Sequence, residues 1–108
     1  MRIGMISGAL ALMSCAMGLA AEQPKPKTHT VTIESMRFQP EVLTVAPGDT
    51  IVWVNKDLVP HTATSEVGGF DSRAIQAGGS WSYTVAKKGA LAYVCTLHPT
   101  MRAMLHVK

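Results

Sequence analysis

The chain has 108 residues, of which 16% are charged, and a formal net charge of +3 at pH 7. A chain of this length can form one small domain around a single core. Lysine and arginine are dispersed, and no basic run alternates with aromatic residues, so the composition does not indicate a nucleic-acid-binding protein.

Residues 1–20 have the pattern of a cleaved secretory signal peptide. Arg2 supplies a positive charge, an apolar run follows to residue 19, and small residues surround Ala20, where we expect cleavage. A bacterial protein with this signal is exported to the periplasm. One alternative is a retained membrane anchor, although the run is near the lower length limit for a membrane span. Another is lipidation at Cys15, because the residues around it loosely resemble a lipoprotein signal.

The mature chain is expected to begin with an exposed leader, residues 21–27, because the prolines there disfavour a helix. Residues 28–108 are expected to form a single domain. Their apolar residues alternate with polar ones, as in Val31 and Ile33, and residues 50–55 form a nearly continuous β-branched and aromatic run. Glycine and proline turns separate such segments. The pattern predicts an all-β sandwich of two sheets with about seven or eight strands.

Cysteine usage gives a sharper indication than composition. Cys15 leaves with the predicted signal, so Cys95 is alone in the mature chain. An exported domain with one cysteine has no internal disulfide, and its thiol is a buried structural group, a reactive group or a metal ligand. Free cysteine is often buried in a core, so the structural alternative stays open for Cys95 alone.

Three candidate metal ligands follow one another closely near the C-terminus, at Cys95, His98 and Met101. Two imidazoles, one thiolate and a weakly held axial methionine make a blue-copper site. A second histidine must therefore come from elsewhere. His61 is the best candidate, because it ends a connection that follows a predicted strand, whereas His29 follows the leader and is expected to be exposed.

Strand alternation separates the two methionines near the C-terminus. The last predicted strand, residues 103–107, puts Met104 and His106 on the same face as Lys108, which marks that face as exposed to solvent. Met101 lies on the turn before this predicted strand, where its side chain can reach back to Cys95. The alternation therefore favours Met101 over Met104 as the axial ligand.

At these residues the sequence resembles the small blue copper proteins, the cupredoxins, and most closely the amicyanin and plastocyanin-like branch. The segments that carry the resemblance are residues 47–55, Pro60-His61, Gly89 and residues 93–102. The resemblance implies an antiparallel Greek-key β-sandwich. It also implies one type 1 copper ion, with His61, Cys95 and His98 as equatorial ligands and Met101 as the axial ligand.

The same resemblance implies a protein that shuttles single electrons between redox proteins by Cu(II)/Cu(I) cycling, and not an enzyme. A c-type cytochrome and a quinoprotein amine dehydrogenase are possible partners, and the protein is expected to be a monomer without a stable membrane span after signal cleavage. A copper carrier or storage protein that exchanges its metal is the alternative. A copper enzyme domain would need further histidines for a second centre, and only His29 and His106 remain.

Four residues depart from the family pattern without removing a ligand. Leu97 stands where these loops often have proline, Thr100 where amicyanins typically have an aromatic residue, and Leu91 where the family often has tyrosine. Thr62 stands where many relatives have asparagine, and its hydroxyl is expected to bond to Thr96. An apolar docking patch is expected around the edge of the His98 ring, formed by Pro60, Leu97, Pro99 and Met36.

Overall fold

The computed structural model describes residues 24–108; the predicted signal peptide and the start of the leader lie outside this range. Within it there are strands, turns and irregular segments, and no helix that is long and apolar enough to cross a membrane. The strands are β1 (Thr28–Glu34), β2 (Arg37–Gln39), β3 (Val42–Val45), β4 (Thr50–Asn55), β5 (Thr64–Ser65), β6 (Ser80–Thr84), β7 (Gly89–Cys95) and β8 (His98–Val107).

The eight strands form two four-stranded sheets, with the strand orders β2-β1-β4-β6 and β3-β8-β7-β5. This arrangement confirms the predicted all-β sandwich of two sheets. Each sheet is mixed rather than purely antiparallel, because β1 pairs with β4 and β3 pairs with β8 in parallel. Parallel neighbours need a long connection, and here several strands intervene in sequence between the members of each parallel pair.

The core lies between the two sheets, and the nearly continuous apolar run of residues 50–55 becomes a strand with only one face fully buried. In β4, every second residue is buried, and Trp53 is completely enclosed. The Trp53 ring lies 5.5 Å from the rings of both Phe70 and Tyr93 and 5.6 Å from that of Trp81, measured between centroids. Both sheets therefore contribute to one aromatic cluster, which fixes how they face each other.

Strand direction gives the sandwich two distinct ends. β7 finishes at Cys95, β8 starts at His98, and these two residues pair across a tight turn, beside a register shift at Cys95. β4 finishes at Asn55, and the connection that follows it packs against the same turn, since the Thr62 N–H group reaches the Cys95 sulfur. We call this the ligand end, and we call the opposite end, where β1, β4 and β7 begin, the far end.

The far end is closed by a buried carboxylate. Asp49 accepts hydrogen bonds from the backbone N–H groups of Lys27, at 2.9 Å, and Ala46, at 3.0 Å, and from the His29 ring nitrogen Nε2, at 2.9 Å. These bonds hold the pKa of Asp49 well below its usual range. The His29 side chain is 22% exposed. His29 is therefore partly buried rather than free on the surface as expected, because its ring packs against this carboxylate.

Candidate metal centre

His61, Cys95 and His98 converge at the ligand end of the sandwich. One potential ligand atom from each of them lies within 4.8 Å of the other two, and no other such cluster of histidine, cysteine or acidic residues occurs in residues 24–108. The Cys95 Sγ atom is 3.6 Å from Nδ1 of His61 and 3.8 Å from Nδ1 of His98. Three of the four predicted ligands are thus brought together from two separate parts of the chain.

These separations suit a single metal ion placed between the three atoms. Metal–sulfur bonds of about 2.3 Å and metal–nitrogen bonds of about 2.0–2.1 Å, at tetrahedral to trigonal angles, keep sulfur and nitrogen about 3.5–3.8 Å apart. The measured separations of 3.6 and 3.8 Å agree with this range. They are too long for strong direct hydrogen bonds. The chemistry of the donor set, one thiol and two imidazoles, is that of a blue-copper site.

His61 is completely buried, and its ring is fixed from the side away from Cys95. Its backbone pairs with Ile75, with N–H to O distances of 3.2 and 2.7 Å. The ring atom Nε2 lies 2.7 Å from Oδ2 of Asp57. A carboxylate can only accept here, so Nε2 carries the proton, and the lone pair on Nδ1 faces Cys95. The hydrogen bond therefore selects the tautomer of His61 that can bind a metal.

The Asp57 carboxylate has further partners in the turn between β1 and β2. The backbone N–H groups of Ser35 and Met36 donate to it, at 2.7 and 3.0 Å. Partial burial works to raise the pKa of Asp57, but the hydrogen bonds from Met36, His61 and Ser35 outweigh it, and the pKa lies below its usual value. Asp57 is therefore ionised at neutral pH and holds His61 in place.

The sulfur of Cys95 is buried and accepts a backbone hydrogen bond. The side chain is 0% exposed, and the N–H group of Thr62 lies 3.3 Å from Sγ. This contact leaves the sulfur able to face a metal ion, and cysteine binds metals as the thiolate.

Thr62 also links the two chain segments that carry the ligands. Its hydroxyl oxygen accepts the backbone N–H of Thr96 at 2.8 Å and lies 3.0 Å from the Thr96 hydroxyl, as expected from the sequence. Thr64 donates to the same oxygen at 3.0 Å. These hydrogen bonds therefore join the loop after β7 to the connection after β4, next to Cys95.

Met101 lies inside β8 rather than on a turn before it. The sequence placed the start of the last strand at Ala103, but the pairing of β7 with β8 continues to His98. Met101 is 4% exposed and faces the interior, as does Leu105. His106 is exposed and Met104 only partly buried, which agrees with the predicted outward face. Burial and alternation thus distinguish the two methionines as expected.

The segments at the ligand end carry exposed apolar side chains, and His98 itself is partly exposed. Large apolar side chains with substantial exposure are found in the turn after β1, in the connection before His61 and in the loop before His98: Met36 at 43%, Leu58 at 94%, Val59 at 42% and Leu97 at 52%. We call these four residues the apolar patch. Leu58 and Val59 were not predicted as part of it, although their position directly before Pro60-His61 is a signal that could have identified them.

Residues 26–108 match the sequence model of the copper binding proteins of the plastocyanin/azurin family. The chain belongs to this family. Together with the converged thiol and imidazoles, membership identifies the cofactor as one type 1 copper ion. The family predicted from the sequence is thereby confirmed.

Amicyanins are among the relatives of this plastocyanin/azurin-family protein. It is 30% identical to amicyanin of Paracoccus denitrificans over 94 residues, covering 82% of this chain and 72% of that one. It is 27% identical to amicyanin-alpha of Methylorubrum extorquens over the full length of both chains, an alignment of 120 positions.

Solved structures give the same result for the fold. The oxidised form of a proline-to-alanine variant of amicyanin is 29% identical, with a TM-score of 0.70, and the alignment covers 75% of this chain and 82% of that one. A copper-containing nitrite reductase from Thermus scotoductus is also 29% identical, with a TM-score of 0.70. That alignment covers 86% of this chain but 24% of the reductase.

Proposed function

We propose that this protein is an exported blue copper protein that carries single electrons between redox partners. The observation that carries the proposal is the convergence of the Cys95 sulfur and the Nδ1 atoms of His61 and His98, within 3.6 and 3.8 Å of the sulfur, in a mostly buried site. In this proposal these three residues are the equatorial ligands, and Met101 is the weakly bound axial ligand.

Bound copper supplies a one-electron change between Cu(II) and Cu(I). The residues around it keep the ligands in nearly the same positions in both states. Asp57 fixes the ring of His61, and the Thr62 N–H group and hydroxyl fix Cys95 and the loop behind it. Because these contacts come from the protein itself, little rearrangement is required when the charge of the ion changes.

An electron carrier fits the described residues better than a copper enzyme. A second copper centre would need more histidines, but His29 bonds to Asp49 at the far end and His106 lies on the exposed face of β8. Within residues 24–108 these two histidines do not take part in a second cluster of potential ligands. The reductase neighbour also has most of its chain outside the region of similarity.

The apolar patch is the proposed contact surface for redox partners. It lies on chain segments at the ligand end, where the ring of His98 is partly exposed, and we propose that this ring provides a short route to the metal. Apolar patches of this kind support brief protein contacts. A c-type cytochrome or a quinoprotein amine dehydrogenase is the proposed kind of partner, contacted by a monomer.

Charge makes only a small contribution to the proposed docking. Arg102 is paired with Glu66 at 3.0 Å, and Arg73 lies 3.9 Å from Asp71. Exposed Lys56 forms no ion pair among residues 24–108, and it is the cation proposed to attract an acidic partner. Its effect is expected mainly on the association rate.

We also propose that the protein is exported and that its signal peptide is removed. Residues 1–20 are the proposed signal peptide, residues 21–27 an exposed leader and residues 28–108 the copper-binding domain, located in the periplasm. Mass spectrometry of the protein purified from a bacterial periplasm tests the processing. A mature N-terminus at Ala21 is expected, and a lipidated Cys15 or an intact N-terminus would contradict it.

Anaerobic mixing of the reduced copper protein with an oxidised c-type cytochrome tests the central function. Electron transfer appears as reduction of the cytochrome together with growth of the blue band, and Leu58→Asp should slow it. The matched control is Val67→Asp, since Val67 is 76% exposed but lies outside the apolar patch. Rapid loss of copper to a mild chelator, without electron transfer, would instead support a copper carrier.

A further inference from the structure

A cleft with a volume of about 480 Å³ lies at the far end of the sandwich. Its walls come from the leader, from the end of β3, from the chain just before β7 and from the chain just after β8. The residues that matter for its chemistry are Lys25, Lys27, His29, Asp49, Lys88 and Lys108.

The cleft is remote from the copper site. β8 runs from His98 at the ligand end to Val107, directly before Lys108 in the cleft. At about 3.3 Å per residue, the two ends of this strand are about 30 Å apart. A molecule bound in the cleft would therefore leave the apolar patch free.

The charge in the cleft is strongly unbalanced. Among the described residues that line it, four are lysines and one, Asp49, is acidic. The two oxygens of that carboxylate already accept bonds from Lys27 N–H, Ala46 N–H and His29, and the group is 7% exposed. The hydrogen-bonding capacity of Asp49 is therefore used within the protein. Among residues 24–108, none of the four lysines forms an ion pair with a carboxylate.

We propose that this cleft is a binding site for a phosphate-bearing anion. Lysine binds phosphate as a compact point charge with three donors, and four lysines line the cleft. Several lysines around a concave surface raise the local potential and favour an anion with more than one charge. The volume accommodates a group larger than one phosphate, such as pyrophosphate or a phospholipid headgroup.

Two sources can supply this chemistry, and binding measurements distinguish them. The copper-loaded protein is titrated with inorganic phosphate and with pyrophosphate, while the amide resonances of Lys27, Ala46 and Lys88 are followed. In parallel it is sedimented with phosphatidylcholine vesicles, with and without phosphatidylglycerol, at an ionic strength of about 0.1 M. Saturable shifts support a free phosphate compound, and sedimentation only with phosphatidylglycerol supports a headgroup. The absence of both results overturns the proposal.

A matched pair of variants tests whether the cleft itself is the site. Lys27→Gln with Lys88→Gln removes two cleft charges, and affinity for the anion that binds should fall about tenfold or more. Lys56→Gln with Lys87→Gln removes the same total charge outside the cleft, and affinity should change less than about twofold. Equal losses in both variants would show diffuse attraction and overturn the proposal. Because the residues tested are remote from the metal, failure of the copper assays would leave this result unaffected.

Discussion

Two histidine–aspartate pairs lie at opposite ends of the sandwich and have different surroundings. At the ligand end, Nε2 of His61 is 2.7 Å from Asp57; at the far end, Nε2 of His29 is 2.9 Å from Asp49. Both carboxylates have a lowered pKa and receive backbone hydrogen bonds. The same kind of histidine–aspartate pair therefore occurs at both ends of this small domain.

The difference lies at the other nitrogen of each ring. Nδ1 of His61 faces the Cys95 sulfur at 3.6 Å, with His98 beside it, and the ring is fully buried. His29 belongs to no such cluster among the described residues, and its side chain is 22% exposed. A carboxylate can orient an imidazole at either end, but a metal centre also requires a converging thiol and a second imidazole.

The largest contrast is expected from removing each imidazole. His61→Ala should abolish the intense blue absorption, because it removes an equatorial nitrogen from a site with only three strong ligands. His29→Ala should retain the absorption and the copper stoichiometry. Visible spectra and metal analysis of both variants measure this. If His61→Ala retained the parent spectrum, His61 would be no more important for copper binding than His29, which would contradict the expectation.

Replacing each carboxylate by its amide should give a smaller contrast. Asp57→Asn weakens the orientation of His61, and loss of such a supporting contact typically lowers metal affinity by about 10–100-fold. Asp49→Asn should leave copper affinity unchanged. Competition with a chelator of known affinity measures both values. A lower affinity in Asp49→Asn than in Asp57→Asn would reverse the expected order.

Acid should reveal the contribution of the far-end pair to folding. The pKa of Asp49 is lowered in the folded state, chiefly by the Lys27 N–H bond. The unfolded chain therefore binds more protons below the ordinary aspartate pKa of about 4, so this contribution is present above that pH and declines as pH falls further. Urea unfolding of metal-free protein between pH 6 and 2.5, values chosen to bracket about 4, should show a weaker acid dependence in Asp49→Asn. An unchanged dependence would contradict the expectation.

The smallest effect is expected from the two methionines of β8. Met101→Leu conserves volume and should cost less than about 1.5 kcal/mol in stability. It should retain copper but alter the reduction potential and the electron paramagnetic resonance spectrum, because a weak axial ligand is lost. Met104→Leu is the control and should leave both unchanged. Voltammetry measures the reduction potential of both variants. Equal potentials would show that Met101 is not a ligand.

Much of this fold could be predicted because its sequence pattern has a direct physical cause. The alternation around Val31 and Ile33 and in residues 103–107 determines which side chains face the core, and the structure agrees. Alternation carries no information about whether neighbouring strands run parallel or antiparallel. The parallel pairs β1–β4 and β3–β8 therefore depend on how the long connections run in space, which the local pattern does not record.

The site could be predicted to a similar degree. Cys95, His98 and His61 could be recognised because a thiol and two imidazoles in this arrangement form the donor set that copper prefers. Asp57 was not recognised, since an aspartate in a polar connection resembles an ordinary loop residue until His61 is placed beside it. Its position four residues before a candidate histidine ligand was the available signal, because such ligands usually donate their second N–H to a carboxylate or carbonyl group.

The spectrum of the copper-loaded protein tests the central claim most directly. An intense visible charge-transfer band and narrow copper hyperfine splitting are expected for the parent, because in the proposed site one thiolate and two imidazoles bind the same ion. Cys95→Ser should lose both features, while His106→Ala, on the exposed face of β8, should retain them. A Cys95→Ser protein with the colour and hyperfine splitting of the parent would contradict the account.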